Sequence, residues 1–179
     1  MTTYNTDSDS ANTSVRAFLT KVGEYYLGRT FNTGSGWGKQ TWLEIKEKVF
    51  DSSCAYCGKK DVPLQIEHLI MFNKTQCGFH HPGNIAPACK NCNSSRNRTS
   101  SWKEHLKLVC SNNGDISLYK KRLIKIDNHI SDSKYPELSA EESSAVKVIA
   151  ESLYKNIKTE GEKSLNMYKK LLDNFTELS

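Results

Sequence analysis

The sequence predicts an α+β fold, mostly helical, with one small non-helical core between two helical flanks. Three observations predict it. Apolar residues recur at helical spacing near both ends of the chain. One short stretch alternates with period two, Leu64, Ile66 and His68 against Gln65, Glu67 and Leu69. All six cysteines fall between residues 51 and 110. The chain therefore divides into an N-terminal segment and flanking helix (1–38), a cysteine-bearing core (39–110) and a helical extension (111–179).

The elements follow in order. Thr, Asn, Ser and Asp dominate the first dozen residues, a composition of disorder. Val15, Phe18, Leu19, Val22, Tyr25 and Tyr26 then form a helical stripe, which Thr13 or Ser14 can cap and Gly28 can end. A loop with three glycines spans Asn32 to Gly38, and Trp42, Ile45 and Val49 mark a second helix. The strand at 64–69 comes next. Asn84 to Ala88 reads as extended, because Pro87 disfavours a helical Ala86. Asn93 to Thr99 is a candidate short helix. Ser101 with Glu104, and Ser139 with Glu142, are capping boxes that open two further helices. Between them, Ile116, Tyr119, Leu123, Ile126 and Ile130 give an amphipathic helix. The last stripe runs through Val146, Ile149, Leu153 and Ile157, and resumes after Gly161 with Leu165, Tyr168, Leu172 and Phe175. Whether Gly161 breaks that helix is open, since an interior glycine costs only ~1 kcal/mol.

Composition narrows the function classes. The chain has 179 residues, room for one ordinary domain. No apolar run is long enough to span a membrane. The N-terminus shows neither the basic region nor the apolar core of a secretory leader, which predicts a cytoplasmic protein. Disulfides rarely persist there, so the cysteines need another purpose. The formal net charge is +5, an excess that permits a nucleic-acid partner without requiring one. Residues 51–110 hold eight basic and four acidic side chains, whereas 111–179 are balanced at eleven each.

Cys54-Ala-Tyr-Cys57 and Cys89-Lys-Asn-Cys92 are two C-x2-C pairs, separated by 31 residues. Each pair can offer two thiolates from one tight turn, and two turns complete a tetrahedral four-sulfur site, which suits Zn²⁺. A redox pair would need a thioredoxin-like βαβ context, and the presence of two pairs argues against it. A closed sulfur site holds a fold together rather than performing chemistry. Four thiolates around one Zn²⁺ also remove two charges, so the formal +5 falls to about +3. Cys77 and Cys110 stand apart and read as free thiols.

Between the pairs stand Glu67-His68 on the strand, then Asn84, and directly after Cys92 stands Asn93. This order resembles the zinc-stapled HNH endonucleases over residues 54 to about 98. The resemblance implies a ββα-metal core and cleavage of DNA, with 5′-phosphate and 3′-hydroxyl products. It implies His68 as the general base, Glu67 as a ligand of the catalytic divalent cation and Asn84 as the brace of the loop between strands. Asn93, nine residues after Asn84, takes the place of the second cation ligand. Two departures matter. Glu67 stands where aspartate is commoner, which shifts the metal slightly. Asn93 replaces the family's final histidine, and an amide carbonyl suits a hard cation, Mg²⁺ or Mn²⁺. Asn97, one turn further, could share that role.

The chemistry agrees with this assignment from the residues alone. Hydrolysing a phosphodiester takes an activated water and a cation on the phosphoryl oxygens, and one imidazole and one carboxylate can organise both. On a regular strand Glu67 and His68 point to opposite faces, so the strand must twist or end there. Taken alone, the pair would read as surface residues of an edge strand.

Arg96 matches the family's basic residue after the second pair, and Arg98 and Lys74 are further candidates for phosphate. His80 and His81 read as loop residues. Lys120, Lys121, Arg122 and Lys125 read as a solvated helix face. The helical flanks are open to DNA, to a homodimer contact or to another partner. By resemblance, small free-standing nucleases of this kind serve restriction or phage defence. The rival expectation is a zinc-stabilised nucleic-acid-binding module without catalysis, which needs neither Glu67 nor His68.

Overall fold

The computed structural model describes residues 6–94, 101–112 and 116–176. Among these residues, five α-helices accompany one antiparallel two-stranded sheet. Helix α1 (Asp7–Leu27) starts well before the apolar stripe and well before Thr13 or Ser14. Thr6 is its N-cap: Asp9 N–H donates to Thr6 Oγ1 (3.2 Å), and the Asp9 carboxylate accepts from Thr6 N–H (3.4 Å). The capping box and the acidic first turn, Asp7 and Asp9, let polar residues join the helix, contrary to the expected disorder. Gly28 ends α1 with φ 72°, a left-handed cap glycine adopts without strain.

Helix α2 (Gly36–Glu44) begins inside the expected glycine loop. It widens into a π-helical turn over Ile45–Val49, where Phe50 N–H bonds Ile45 C=O five residues back (3.1 Å). Strand β1 (Leu64–His68) pairs with β2 (Ile85–Cys89), Leu64 opposite Cys89 and His68 opposite Ile85. The cysteine pairs therefore lie at one end of the hairpin and the Glu67-His68 dipeptide at the other. Strand β2 is buried throughout. Pro87 has no N–H to give, but its carbonyl accepts from Ala55 N–H (2.7 Å), so the first cysteine turn docks onto the strand.

Helices α3 (Trp102–Asn112) and α4 (Ile116–Asp132) pack against each other. Trp102, Leu106, Cys110 and Ile126 join Phe50, Tyr56 and Ile85 in the main core. His129 on α4 bonds Ile85 C=O through Nε2 (2.9 Å), tying the helix to β2. Helix α5 (Ala140–Thr176) runs unbroken through Gly161. It packs along α1, and Val15, Leu19, Val146 and Ala150 form a second core with Phe79 from the hairpin loop. Ser139 and Glu142 make both bonds of the expected capping box (2.8 and 3.1 Å). Among the described residues no helix is long and apolar enough to cross a membrane.

Candidate active site and metal centre

Four sulfurs meet at the open end of the hairpin, away from the loop that joins its strands. The Sγ atoms of Cys54, Cys57, Cys89 and Cys92 all lie within 4.8 Å of one another. Cys57 and Cys89 are 3.7 Å apart. With Zn–S near 2.3 Å, a tetrahedron has edges of about 3.8 Å, so the cage has the dimensions of a tetrathiolate zinc site. The turns carry standard knuckle bonds, Gly58 N–H to Cys54 C=O (2.9 Å) and Cys92 N–H to Cys89 C=O (3.0 Å). Thiols this close compete for protons. Hydrogen bonds from Cys57 and Cys92 hold the Cys54 thiol well below its ordinary range, and the bond to Cys54 pushes Cys57 up to about 11. Only a cation lets all four ionise together. Cys77 and Cys110 take no part in the cluster.

The knuckles are braced from outside. His105 on α3 bonds Cys92 C=O through Nε2 (2.9 Å). Arg122 on α4 donates from Nη1 to Cys54 C=O (2.8 Å) and Ala55 C=O (3.1 Å). One residue of the expected solvated basic face is thus turned inward, where a guanidinium balances the negative charge of a zinc tetrathiolate.

At the other end of the hairpin, Ile66, Glu67, His68, Met71, Phe72, Asn73, Asn93 and Arg16 line an open groove of about 550 Å³. Strand β1 ends at His68, and this is how neighbours on one strand reach the same groove. Glu67 is only 4 % exposed, and Tyr56 of the first knuckle approaches its Oε1 at 3.5 Å. Asn93 follows the second knuckle, where its Nδ2 donates to Ile66 C=O (3.2 Å) and Gln65 Oε1 (3.3 Å). The zinc cage therefore sets the position of the groove's amide. Asn84 is buried behind the loop that joins the strands. Its Oδ1 accepts from Ile70 N–H (2.7 Å), and its Nδ2 donates to Ile70 C=O (3.0 Å) and Phe79 C=O (2.8 Å).

His68 is half-buried, stacked on Phe72 with centroids 4.7 Å apart. Its Nε2 lies 3.0 Å from Nδ1 of His80. Burial, with smaller contributions from His80 and Arg16, pushes the His68 imidazole down to about 3, so the ring is uncharged at neutral pH. Burial likewise lowers His80, against the opposing charge of Glu24. Lys74 holds its ammonium over the Tyr154 ring of α5, 4.3 Å from the centroid, and does not line the groove. Arg96, Arg98 and Asn97 lie outside the described residues.

Sequence reasoning missed what α1 brings. Arg16 lines the groove, and Glu24 and Phe31 surround His80. No local motif marks them, because some fifty residues separate Arg16 from His68 and only the packing of α1 joins them.

The knuckle-bound hairpin thus sets a carboxylate, an imidazole and an amide around one groove. Residues 54–99 match the family model described as HNH endonuclease, so this segment carries an HNH nuclease motif. No curated protein and no solved structure matches the chain.

Proposed function

We propose that this protein is a divalent-cation-dependent endonuclease that hydrolyses DNA phosphodiester bonds. The supporting observation is the convergence of Glu67, His68 and Asn93 on one groove beside the four-cysteine cage. The donor set fits the second metal. Glu67 offers a carboxylate, and Asn93, with its Nδ2 engaged on β1, offers its amide oxygen. Hard oxygens in an open groove suit Mg²⁺ or Mn²⁺, which keep several waters and take the rest of their shell from substrate phosphate. The bound cation supplies Lewis acidity at the phosphoryl oxygens and the leaving 3′ oxygen.

The chain's own groups do the remainder. His68 takes the proton of the attacking water, as a neutral ring at hydrogen-bond reach can. Phe72 holds the plane of that ring. Asn84 keeps the loop after β1 in place, and with it His68. Arg16, exposed at the groove's edge, presents positive charge to the backbone phosphate. By resemblance the role is that of a cytoplasmic restriction or phage-defence nuclease.

The test is nicking of supercoiled plasmid by the zinc-loaded protein, with Mg²⁺ or Mn²⁺ and with EDTA. Nicking that EDTA abolishes, and that His68→Ala reduces by about 10²–10⁴-fold, supports the proposal. Equal nicking by both proteins, or none with any divalent cation, rejects it. DNA binding without nicking would leave the rival, a non-catalytic zinc module.

A further inference from the structure

His80 belongs to no part of the mechanism so far, yet it makes a direct polar contact with the imidazole to which catalysis is assigned. Nε2 of His68 and Nδ1 of His80 are 3.0 Å apart. Two neutral imidazoles at that distance share one proton, and its location decides which nitrogen of His68 carries a lone pair. If His80 donates, His68 holds its remaining proton on Nδ1 and has no atom left to act as a base. If His68 donates, its Nδ1 is the basic atom.

The surroundings of His80 are built to hold it. Its ring rests on buried Phe31, centroids 4.9 Å apart. Its backbone is seated against α1 at Gly23, where an added Cβ would stand 2.7 Å from His80 C=O. Glycine in the middle of a 21-residue helix costs about 1 kcal/mol relative to alanine, and this close approach is the local reason for it. Glu24, the next residue on α1, anchors Phe31 by accepting from its N–H (3.2 Å) and places a carboxylate whose charge acts on His80. The histidine is thus gripped from the N-terminal segment, outside the matched residues 54–99.

We propose that His80 is the positioning residue of the general base: its Nδ1 accepts the Nε2–H of His68, which fixes the His68 tautomer with Nδ1 as the proton acceptor and holds the ring toward the groove. This rests on the reading of His68 as the base.

The test pairs a tautomer measurement with a crossed pair of variants in the full-length, zinc-loaded protein. Long-range ¹H–¹⁵N correlation on ¹⁵N-histidine-labelled protein, with His68 assigned from His68→Ala, reads the tautomer directly. The expected state is Nε2–H, and an Nδ1–H tautomer of His68 overturns the proposal. That readout needs no activity, so it decides the direction of the His68–His80 hydrogen bond separately from the nuclease reading, which plasmid nicking tests. His80→Asn keeps an acceptor at the place of Nδ1 but loses ring volume, whereas His80→Phe keeps the volume and loses the acceptor. Positioning predicts a kcat loss of about 10- to 100-fold for His80→Phe at unchanged KM, with His80→Asn nearer wild type. The reverse order, Phe active and Asn impaired, shows a packing role only and overturns the proposal. Thermal melts establish that each variant is folded, and the tautomer of the wild-type protein stands whether or not they are.

Discussion

Replacing Asn84 with alanine removes three hydrogen bonds from a side chain that is 1 % exposed. The bonds to Ile70 N–H and C=O lie in half-buried surroundings, where water recovers part of the loss, and each contributes about 1 kcal/mol. The bond to Phe79 C=O is buried, and leaving that carbonyl without its donor costs about 2 kcal/mol. The sum is about 4 kcal/mol, which for a chain of this length lowers Tm by roughly 10 °C. Asn84→Asp discriminates further. It keeps the acceptor for Ile70 N–H but turns an oxygen toward two carbonyls at 3.0 and 2.8 Å, so it should destabilise at least as much as alanine. The assay is urea unfolding of zinc-loaded protein, with plasmid nicking measured well below the melting temperature. Nicking should fall as well, because the loop from Ile70 to Phe79 positions both His68 and His80. A loss under 1 kcal/mol for Asn84→Ala, or an Asp variant as stable as wild type, would refute the reasoning.

Three other outcomes are expected. Purified protein should hold one zinc per chain, and Cys89→Ser should lose it and unfold cooperatively near the hairpin, as zinc assay and circular dichroism would reveal; full structure without zinc contradicts the cage assignment. His81 is buried with its Nδ1 accepting Gly83 N–H (3.1 Å), and burial pushes it down to about 4. Its folded value lies below its unfolded value near 6.5, so the stability it contributes is present above about pH 6.5 and is lost as pH falls toward about 4, by at most about 3 kcal/mol. Acid also strips zinc, so the comparison is with His81→Asn, which keeps an acceptor without titrating; equal slopes of stability against pH in both proteins would contradict this. Arg16→Ala should weaken DNA binding and reduce the salt slope of log K by about one, measured by fluorescence anisotropy over a salt series, and an unchanged slope removes Arg16 from the phosphate contacts.

The sequence by itself determined what is local in chemistry. Two C-x2-C pairs declare a tetrathiolate cage because a tight turn places both sulfurs on one metal whatever surrounds it. The alternation at Leu64–Leu69 and Pro87 after Ala86 mark the strands, and the Ser139–Glu142 box marks the start of α5, because these signals act within a few residues. The Thr6–Asp9 box acts at the same range, yet the polar composition around it hid the start of α1. The tertiary structure alone decided which distant groups share the groove. It brought Arg16 to the groove and Gly23, Glu24 and Phe31 to His80, across some fifty residues, and turned Arg122 from a solvated face to the knuckle carbonyls. It also made a loop histidine the partner of His68. Such contacts follow from apolar faces, here Val15 and Leu19 against Val146 and Ala150, whose pattern shows that a helix is buried and not what it is buried against.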